Sequence, residues 1–268
     1  MSKAKAATPS RRLLVEERRR LIVGYVEEHG RATVEELAAK FSTSAVTIRA
    51  DLEALARISA IARSHGGALP IGQPTTSDTP LNIKETRWHA QKLRIGKAAA
   101  QLIQDGETII LDSGSTTVEI ARQIRQMKFE SLTVITNALN IALELSGLPQ
   151  IRVMMLGGLL RQTSYSLVGP DAEQTLARLS ADRLFLGVDG LDPMVGVTTP
   201  DPLEAALNAL MIRVSRETIA VLDASKLGQR CLSVITPVGK LHKVITDTSA
   251  PAEMIEALRT AGVGVMLV

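Results

Sequence analysis

Aromatic side chains are scarce, with three Phe, two Tyr and one Trp in 268 residues. Proteins that hold single strands or RNA stack bases on aromatic platforms, so that mode of nucleic-acid binding is disfavoured. A single cysteine, Cys231, excludes an internal disulfide framework and fits a reducing, cytoplasmic setting. It stands in the apolar stretch CLSVI and reads as a small buried residue. The four histidines, His29, His65, His89 and His242, have no i,i+4 or Cys-x-x-Cys companions, so no metal site is expected. Charges interrupt every apolar run before it reaches membrane-spanning length. Residues 1–10 are basic without an apolar stretch, and read as a disordered arm, not a signal peptide.

What is present is the composition of an ordinary globular protein, 45% hydrophobic and 22% charged, long enough for one large domain or two of common size. Its net charge of +3 is unevenly spread. Residues 1–70 carry 12 Lys/Arg against 8 Asp/Glu, and the remainder carries 19 against 20. The basic excess therefore lies at the N-terminal end, where a phosphate-binding segment would need it.

That end has a helical pattern. A first helix is expected from near Ser10 to His29, with Leu14, Leu21, Ile22, Tyr25 and Val26 inward and Gly30 ending it. Arg18, Arg19 and Arg20 read mostly as a solvated face. Thr33-x-x-Glu36 has capping-box form, and Val34, Leu37, Ala38 and Phe41 then share one face. Ser42-Thr43-Ser44 interrupts with turn and cap residues. In the next helix Ile48, Leu52 and Leu55 face inward, leaving Ala45, Thr47 and Arg49 outward. Two helices joined by a polar turn, the second with polar residues in its first turns, form a helix-turn-helix whose second helix enters the major groove.

Residues 70–81 are rich in Pro, Gly and Thr without periodicity and read as a linker. Beyond them, helical segments alternate with short apolar runs: TIILD (108–112), LTVIT (132–136), VMMLGG (153–158), RLFLGVDG (183–190), TIAVLD (218–223), KVITD (243–247) and VGVMLV (263–268). A helix over Leu81–Gln104 precedes the first. Such alternation predicts a mainly parallel sheet covered on both faces, with ligands beyond the carboxyl ends of its strands. The residues there are small and polar. Asp112-Ser113-Gly114-Ser115-Thr116-Thr117 leads into a helix, a strand–loop–helix arrangement that suits a phosphate. It lacks Gly-Lys-Ser/Thr and G-x-G-x-x-G, so neither a Walker nor a dinucleotide loop is present, and no cofactor is expected. Asn137, Gly157, Gly158, Asp189, Glu204 and Lys226 follow other strands.

TIRADL followed by RSHGGA resembles the winged helix-turn-helix of DeoR-family transcriptional regulators, in Thr47, Ile48, Arg49, Asp51 and Leu52 and in Arg63, His65, Gly66, Gly67 and Ala68. Ala50 departs from the family's second arginine, and Ser59 stands where glycine is usual. From Lys84 to Val268 the motifs DSGSTT, TN, GG, FLGVDG, EA and D-x-SK resemble the family's sensor domain. That domain is similar in turn to the sugar-phosphate isomerase fold of ribose-5-phosphate isomerase and glucosamine-6-phosphate deaminase.

The resemblance implies a small winged helix-turn-helix domain (11–69) before an α/β, sugar-phosphate-isomerase-like sensor and oligomerisation domain (82–268). It implies contacts to double-stranded operator DNA by Ser44, Thr47, Arg49, Arg63 and His65. A phosphorylated sugar would bind at Asp112–Thr117, Asn137, Gly157, Gly158, Asp189, Glu204 and Lys226. The expected protein is a homodimeric or homotetrameric cytoplasmic repressor of a carbohydrate-catabolic operon, of the amino-sugar or galactitol type. An isomerase or deaminase with an appended helical domain is one alternative. The isomerases carry a Lys-Gly-Gly-type loop before the catalytic base, where this chain has VGVTTPDP. The other alternative is an activator whose C-terminal domain only oligomerises.

Overall fold

The computed structural model describes residues 14–29, 32–58, 60–64, 67–69 and 78–268. The chain divides into two compact units, Met1–Gly72 and Gln73–Val268.

The N-terminal unit contains α1 (Val15–His29), β1 (Ala32–Thr33), α2 (Val34–Lys40), α3 (Ala45–Arg57), β2 (Ala62–Ser64) and β3 (Gly67–Leu69). Both halves of the expected capping box form: Thr33 Oγ1 accepts from Glu36 N–H, and Glu36 Oε2 accepts from Thr33 N–H. Ser44 caps α3 by accepting from Thr47 N–H at 3.1 Å. Ile48, Leu52 and Leu55 close a core with Ile22, Val23, Val26, Val34, Leu37 and Ile61. Leu14 and Leu21, expected inward, are exposed, because Ile22, Val23 and Val26 already fill the stripe of α1 that meets the core. The arginine run is also only partly solvated. Arg18 is buried and its Nε donates to Asp51 Oδ2 at 2.6 Å, while Arg19 Nε donates to Oδ1 at 3.0 Å. Asp51 of TIRADL thus ties α1 to α3. The three strands form an antiparallel wing in the order β1-β3-β2. A Cβ on Gly67 would lie 2.2 Å from Ala32 O, so that pairing admits only glycine there.

The C-terminal unit opens with α4 (Leu81–Thr86) and α5 (His89–Ala100), where a single helix was expected. Arg87 is extended and Trp88 left-handed (φ 54°). The cause is tertiary: buried Lys92 donates through Nζ to the carbonyls of Lys84 and Arg87, satisfying the end of α4 without helical continuation. Then follow β4 (Thr108–Leu111), α6 (Ser115–Ile124), β5 (Leu132–Thr136), α7 (Leu139–Leu145), β6 (Ile151–Met155), β7 (Leu159–Arg161), β8 (Ser166–Val168), α8 (Pro170–Leu176), β9 (Ala181–Gly187), β10 (Gly190–Asp192), β11 (Gly196–Thr199), α9 (Pro202–Val214), β12 (Ser215–Val221), β13 (Ser233–Thr236), β14 (Lys243–Thr246), α10 (Ala252–Thr260) and β15 (Gly264–Leu267).

All seven expected apolar runs enter one parallel sheet, in the order β15-β14-β12-β9-β4-β5-β6. Alternate residues feed opposite faces, as a period of two requires. Ile109, Leu111, Phe185, Ile219, Val221 and Ile245 join one core, and Ile110, Leu184, Leu186, Ala220 and Val244 the other. Two small antiparallel pieces were not anticipated, the β7–β8 hairpin and the sheet β10-β11-β13. The strand order reverses between β4 and β9. In a sheet of this kind, that switch point opens a crevice at the carboxyl ends.

Candidate effector site in the C-terminal unit

A cleft of about 600 Å³ lies at that switch point. The loop after β4 and the turn after β9 supply Asp112–Thr116 and Gly187–Asp189. Helix α4, the hairpin turn and α9 add Lys84, Ser164, Glu204 and Asn208, and the turn after β12 adds Asp223 and Lys226. Of the expected effector residues, the cleft brings together Asp112, Ser113, Gly114, Ser115, Thr116, Asp189, Glu204 and Lys226.

Four others lie outside its lining. Thr117 is fully buried, its hydroxyl donating to the carbonyls of Asp112 and Gly114, both at 3.0 Å, so it holds the loop's shape. Asn137 donates through Nδ2 to Leu167 O, and its backbone carbonyl accepts from Leu167 N–H, fastening β8. Gly158 has φ +119° and a Cβ there would stand 2.5 Å from Val168 O, a steric reason for the Gly-Gly step. Gly157 likewise falls outside the lining.

The cleft is strongly polar, and most of its charges are already paired. Lys84 Nζ donates to Asp189 Oδ1 at 2.6 Å and stands 4.0 Å from Asp78 Oδ1. Burial alone would lower the Lys84 pKa, but Asp189, Asp78 and Glu204 outweigh it and the value is raised. Burial opposes ionisation of Asp189, and the nearby Lys84 and Lys226 reverse the effect and lower its pKa. Asp112 has no cation to offset burial. Its Oδ1 accepts from Gly187 N–H at 2.9 Å, yet desolvation, with Glu204 and Asp189 adding repulsion, pushes its carboxyl well above the ordinary range.

Glu204 sits in the first turn of α9, where Asp201 caps the helix by accepting its N–H. Its Oε1 takes Arg161 at 2.6 Å, Ser164 Oγ at 2.8 Å and Ser166 Oγ at 2.9 Å. Oε2 takes Thr199 Oγ1 at 3.4 Å. Asp223 is held by its own turn, accepting from Ser225 N–H and hydroxyl.

Against these saturated groups stands a short set without protein partners among the described residues. Helix α6 starts at Ser115 with no side-chain cap, and its first helical bond is Val118 N–H to Gly114 O. The amides before Val118 therefore remain available, as the start of any helix leaves them. No protein partner engages the hydroxyls of Ser115 and Thr116 or the Lys226 ammonium. A positive helix end, free amides, hydroxyls and an ammonium are the kinds of group that hold anions.

Lys84, Arg161 and Asn208 were not anticipated. Lys84 precedes the first strand, Arg161 lies in a three-residue strand and Asn208 in mid-helix, so none follows an apolar run. Among the expected DNA-contacting residues, Ser44 and Thr47 share the α3 cap with their hydroxyls 2.9 Å apart, and Arg49 is exposed on the same helix. Arg63 belongs to β2, and His65 and Ser59 lie outside the described residues. No described helix is long and apolar enough to cross a membrane.

The family models agree with this division. A DeoR-like helix-turn-helix domain matches residues 18–73 and a DeoR C terminal sensor domain matches residues 87–248. A chain of Escherichia coli O157:H7 assigned as an aga operon transcriptional repressor is 39% identical over 100% of this chain and 99% of its own length. The transcriptional regulator GlpR of Haloferax volcanii is 35% identical, over 95% of this chain and 98% of its own. The glycerol-3-phosphate regulon repressor of Escherichia coli K12 is 29% identical, over 88% and 92%. Among solved structures, ribose 5-phosphate isomerase A of Methanocaldococcus jannaschii covers 52% of this chain and 54% of its own, at 19% identity and a TM-score of 0.38, a likeness too remote to bear on chemistry. Matched along nearly its whole length, with a helix-turn-helix for DNA and a sensor domain behind it, the chain belongs to the DeoR family of transcriptional regulators.

Proposed function

We propose that this regulator is a cytoplasmic repressor of a carbohydrate-catabolic operon, released from its operator when a phosphorylated sugar binds the cleft. One observation carries the reading: among the described residues, the uncapped start of α6, the Ser115 and Thr116 hydroxyls and the Lys226 ammonium line the cleft without protein hydrogen-bond partners. That set suits a phosphate dianion. The aga operon and glycerol-3-phosphate regulon in the relatives' names support the carbohydrate assignment. The DNA-binding domain is taken as 11–69, the linker as 70–81 and the sensor and oligomerisation domain as 82–268. Ser44, Thr47 and Arg49 enter the major groove, and Arg63 and His65 on the wing meet the backbone or minor groove. Two or four copies supply the paired half-sites that operator affinity requires.

The cleft senses and does not turn its ligand over. Aldose–ketose isomerisation needs a carboxylate free to shuttle a proton, and Glu204 is committed to Arg161 and two serines. No lysine lies between Arg183 and Lys226 to recreate the isomerase loop.

Melting temperature measured against sugar phosphates and their unphosphorylated parents tests the proposal, since a ligand of the native state raises stability by RT ln(1 + [L]/Kd). A rise with a phosphosugar and none with its parent is expected, and no rise with any member would remove the effector role. Thr116→Glu should abolish that rise and induction together while operator binding persists.

A further inference from the structure

The polar groups of the cleft fall into those the protein has used and those it has not. Asp112, Asp189, Glu204 and Asp223 all accept protein hydrogen bonds, and Lys84 donates to Asp189. Lys226 and the start of α6 are free, and the proposed phosphate accounts for them. One further group remains. Asn208 lines the cleft, is only 6% exposed, and its Oδ1 is buried with no hydrogen-bond partner. Its amide nitrogen also lacks a partner among the described residues, so the side chain makes no hydrogen bond to the protein. A buried amide without partners costs stability that an apolar side chain of the same size would not. Such a residue in a cleft wall is satisfied when something else arrives.

Asn208 lies one turn beyond Glu204 on the same face of α9. The rung before it is saturated by Arg161, Ser164 and Ser166, so Asn208 is the first residue along that face with capacity to spare.

We infer that Asn208 is the residue that reads the non-phosphate part of the effector, by hydrogen bonding to an uncharged polar group on its carbon skeleton. This rests on the cleft being the effector site. It makes recognition two-pointed, with an anion on the α6 start and Lys226 and a neutral polar group on α9. The neutral character follows from the amide, which offers both donor and acceptor but no charge. Glycerol 3-phosphate and inorganic phosphate would use mainly the first point, and hexose phosphates both.

The test compares wild type with Asn208→Leu and Asn208→Ala by thermal shift and calorimetry. Probes are inorganic phosphate, glycerol 3-phosphate, galactosamine 6-phosphate, its N-acetyl form and tagatose 6-phosphate. For the hexose phosphate that stabilises wild type most, Asn208→Leu should lose roughly tenfold in affinity, the cost of leaving one ligand group unmatched. Inorganic phosphate affinity should change less than about twofold, a difference below that of one neutral hydrogen bond. The unliganded Asn208→Leu protein should melt no lower than wild type. A lower melting temperature in both variants would make Asn208 structural and overturn the inference. Equal loss for inorganic phosphate and the hexose phosphate would also overturn it, by placing Asn208 at the anion. If no probe, inorganic phosphate included, stabilises wild type, the sensor reading itself fails. Stabilisation of wild type and both variants alike would sink the Asn208 assignment alone.

Discussion

One guanidinium organises much of the charge around the cleft. Arg161 meets Glu204 and Asp78 at 2.6 Å each and Asp201 at 3.2 Å, and donates to Ser164 at 2.7 Å, with its side chain 13% exposed. Burial would lower its pKa, and Glu204, Asp78 and Asp201 together raise it, so it stays charged at any pH the fold survives. Arg161→Met removes the cation and leaves three carboxylates facing one another, at a cost of about 3 kcal/mol by analogy with broken buried pairs. Thermal unfolding at neutral pH should register that loss. Asp51 is the corresponding residue in the N-terminal unit, where Arg18 and Arg19 converge on it at 2.6 and 3.0 Å. Asp51→Ala strands a buried arginine and should cost a similar 3 kcal/mol or so. Operator affinity should fall in that variant through unfolding, and recover on cooling. Arg49→Ala behaves differently: exposed on α3, it should weaken operator binding by roughly 1–3 kcal/mol, the worth of a bidentate base contact, at unchanged melting temperature. Gel-shift titration beside a melt separates the two cases.

At the scale of elements, the break between α4 and α5 depends on Lys92. Burial presses its ammonium down to about 8, with Asp223 opposing and Lys226, Lys84 and Arg87 adding repulsion. Between about 8 and the ordinary 10.5 the folded chain holds Lys92 neutral while the unfolded chain holds it charged. Unfolding then takes up a proton, so this group's contribution to stability rises with pH across that window, and below it the burial cost is present in full. Lys92→Met removes the titration. Its melting temperature relative to wild type should therefore fall between pH 8 and pH 10, and a constant difference would show that Lys92 does not titrate there. No sequence pattern signals this break, because helical periodicity continues from Leu81 onward and the interruption comes from a lysine folding back on carbonyls eight and five residues earlier. The seven parallel strands were legible for the opposite reason: each is a short, mostly apolar run that stands out between helical segments without reference to distant residues. Strands β7, β8, β10, β11 and β13 read LLR, SLV, GLD, GVTT and SVIT, each broken by polar residues or glycine, so no apolar run marks them. The site divides along the same line. Asp112–Thr116, Asp189 and Lys226 follow apolar runs of the parallel sheet and could be found there. Lys84 and Asn208 reach the cleft only through tertiary folding of a short helix and a helix interior, and Arg161 acts on it through Glu204.

For the whole molecule, the proposed induction requires that a ligand in the cleft change contacts at the start of the C-terminal unit. Asp78, five residues into the C-terminal unit, is tied to Arg161 at 2.6 Å and approached by Lys84 at 4.0 Å. Arg161 and Lys84 also serve the cleft carboxylates Glu204 and Asp189. The hairpin that carries Arg161 also accepts Leu81 N–H on Thr163 O at 2.8 Å, so the start of α4 is held from the same side. An effector that draws on Lys84 or Glu204 changes the field at Asp78, and the two conformations it discriminates must differ there for any coupling to result. Asp78→Asn keeps the side chain's shape and removes its charge. Effector affinity of the isolated protein should stay within about threefold, whereas the factor by which effector weakens operator binding should drop by 1 kcal/mol or more, a sizeable part of the usual roughly 1–3 kcal/mol coupling. Linkage supplies an internal check. In wild type and variant alike, the factor by which effector weakens operator binding must equal the factor by which operator DNA weakens effector binding. Measuring both titrations in both proteins separates lost coupling from lost binding. An Asp78→Asn protein with wild-type coupling would place transmission elsewhere in the sensor unit.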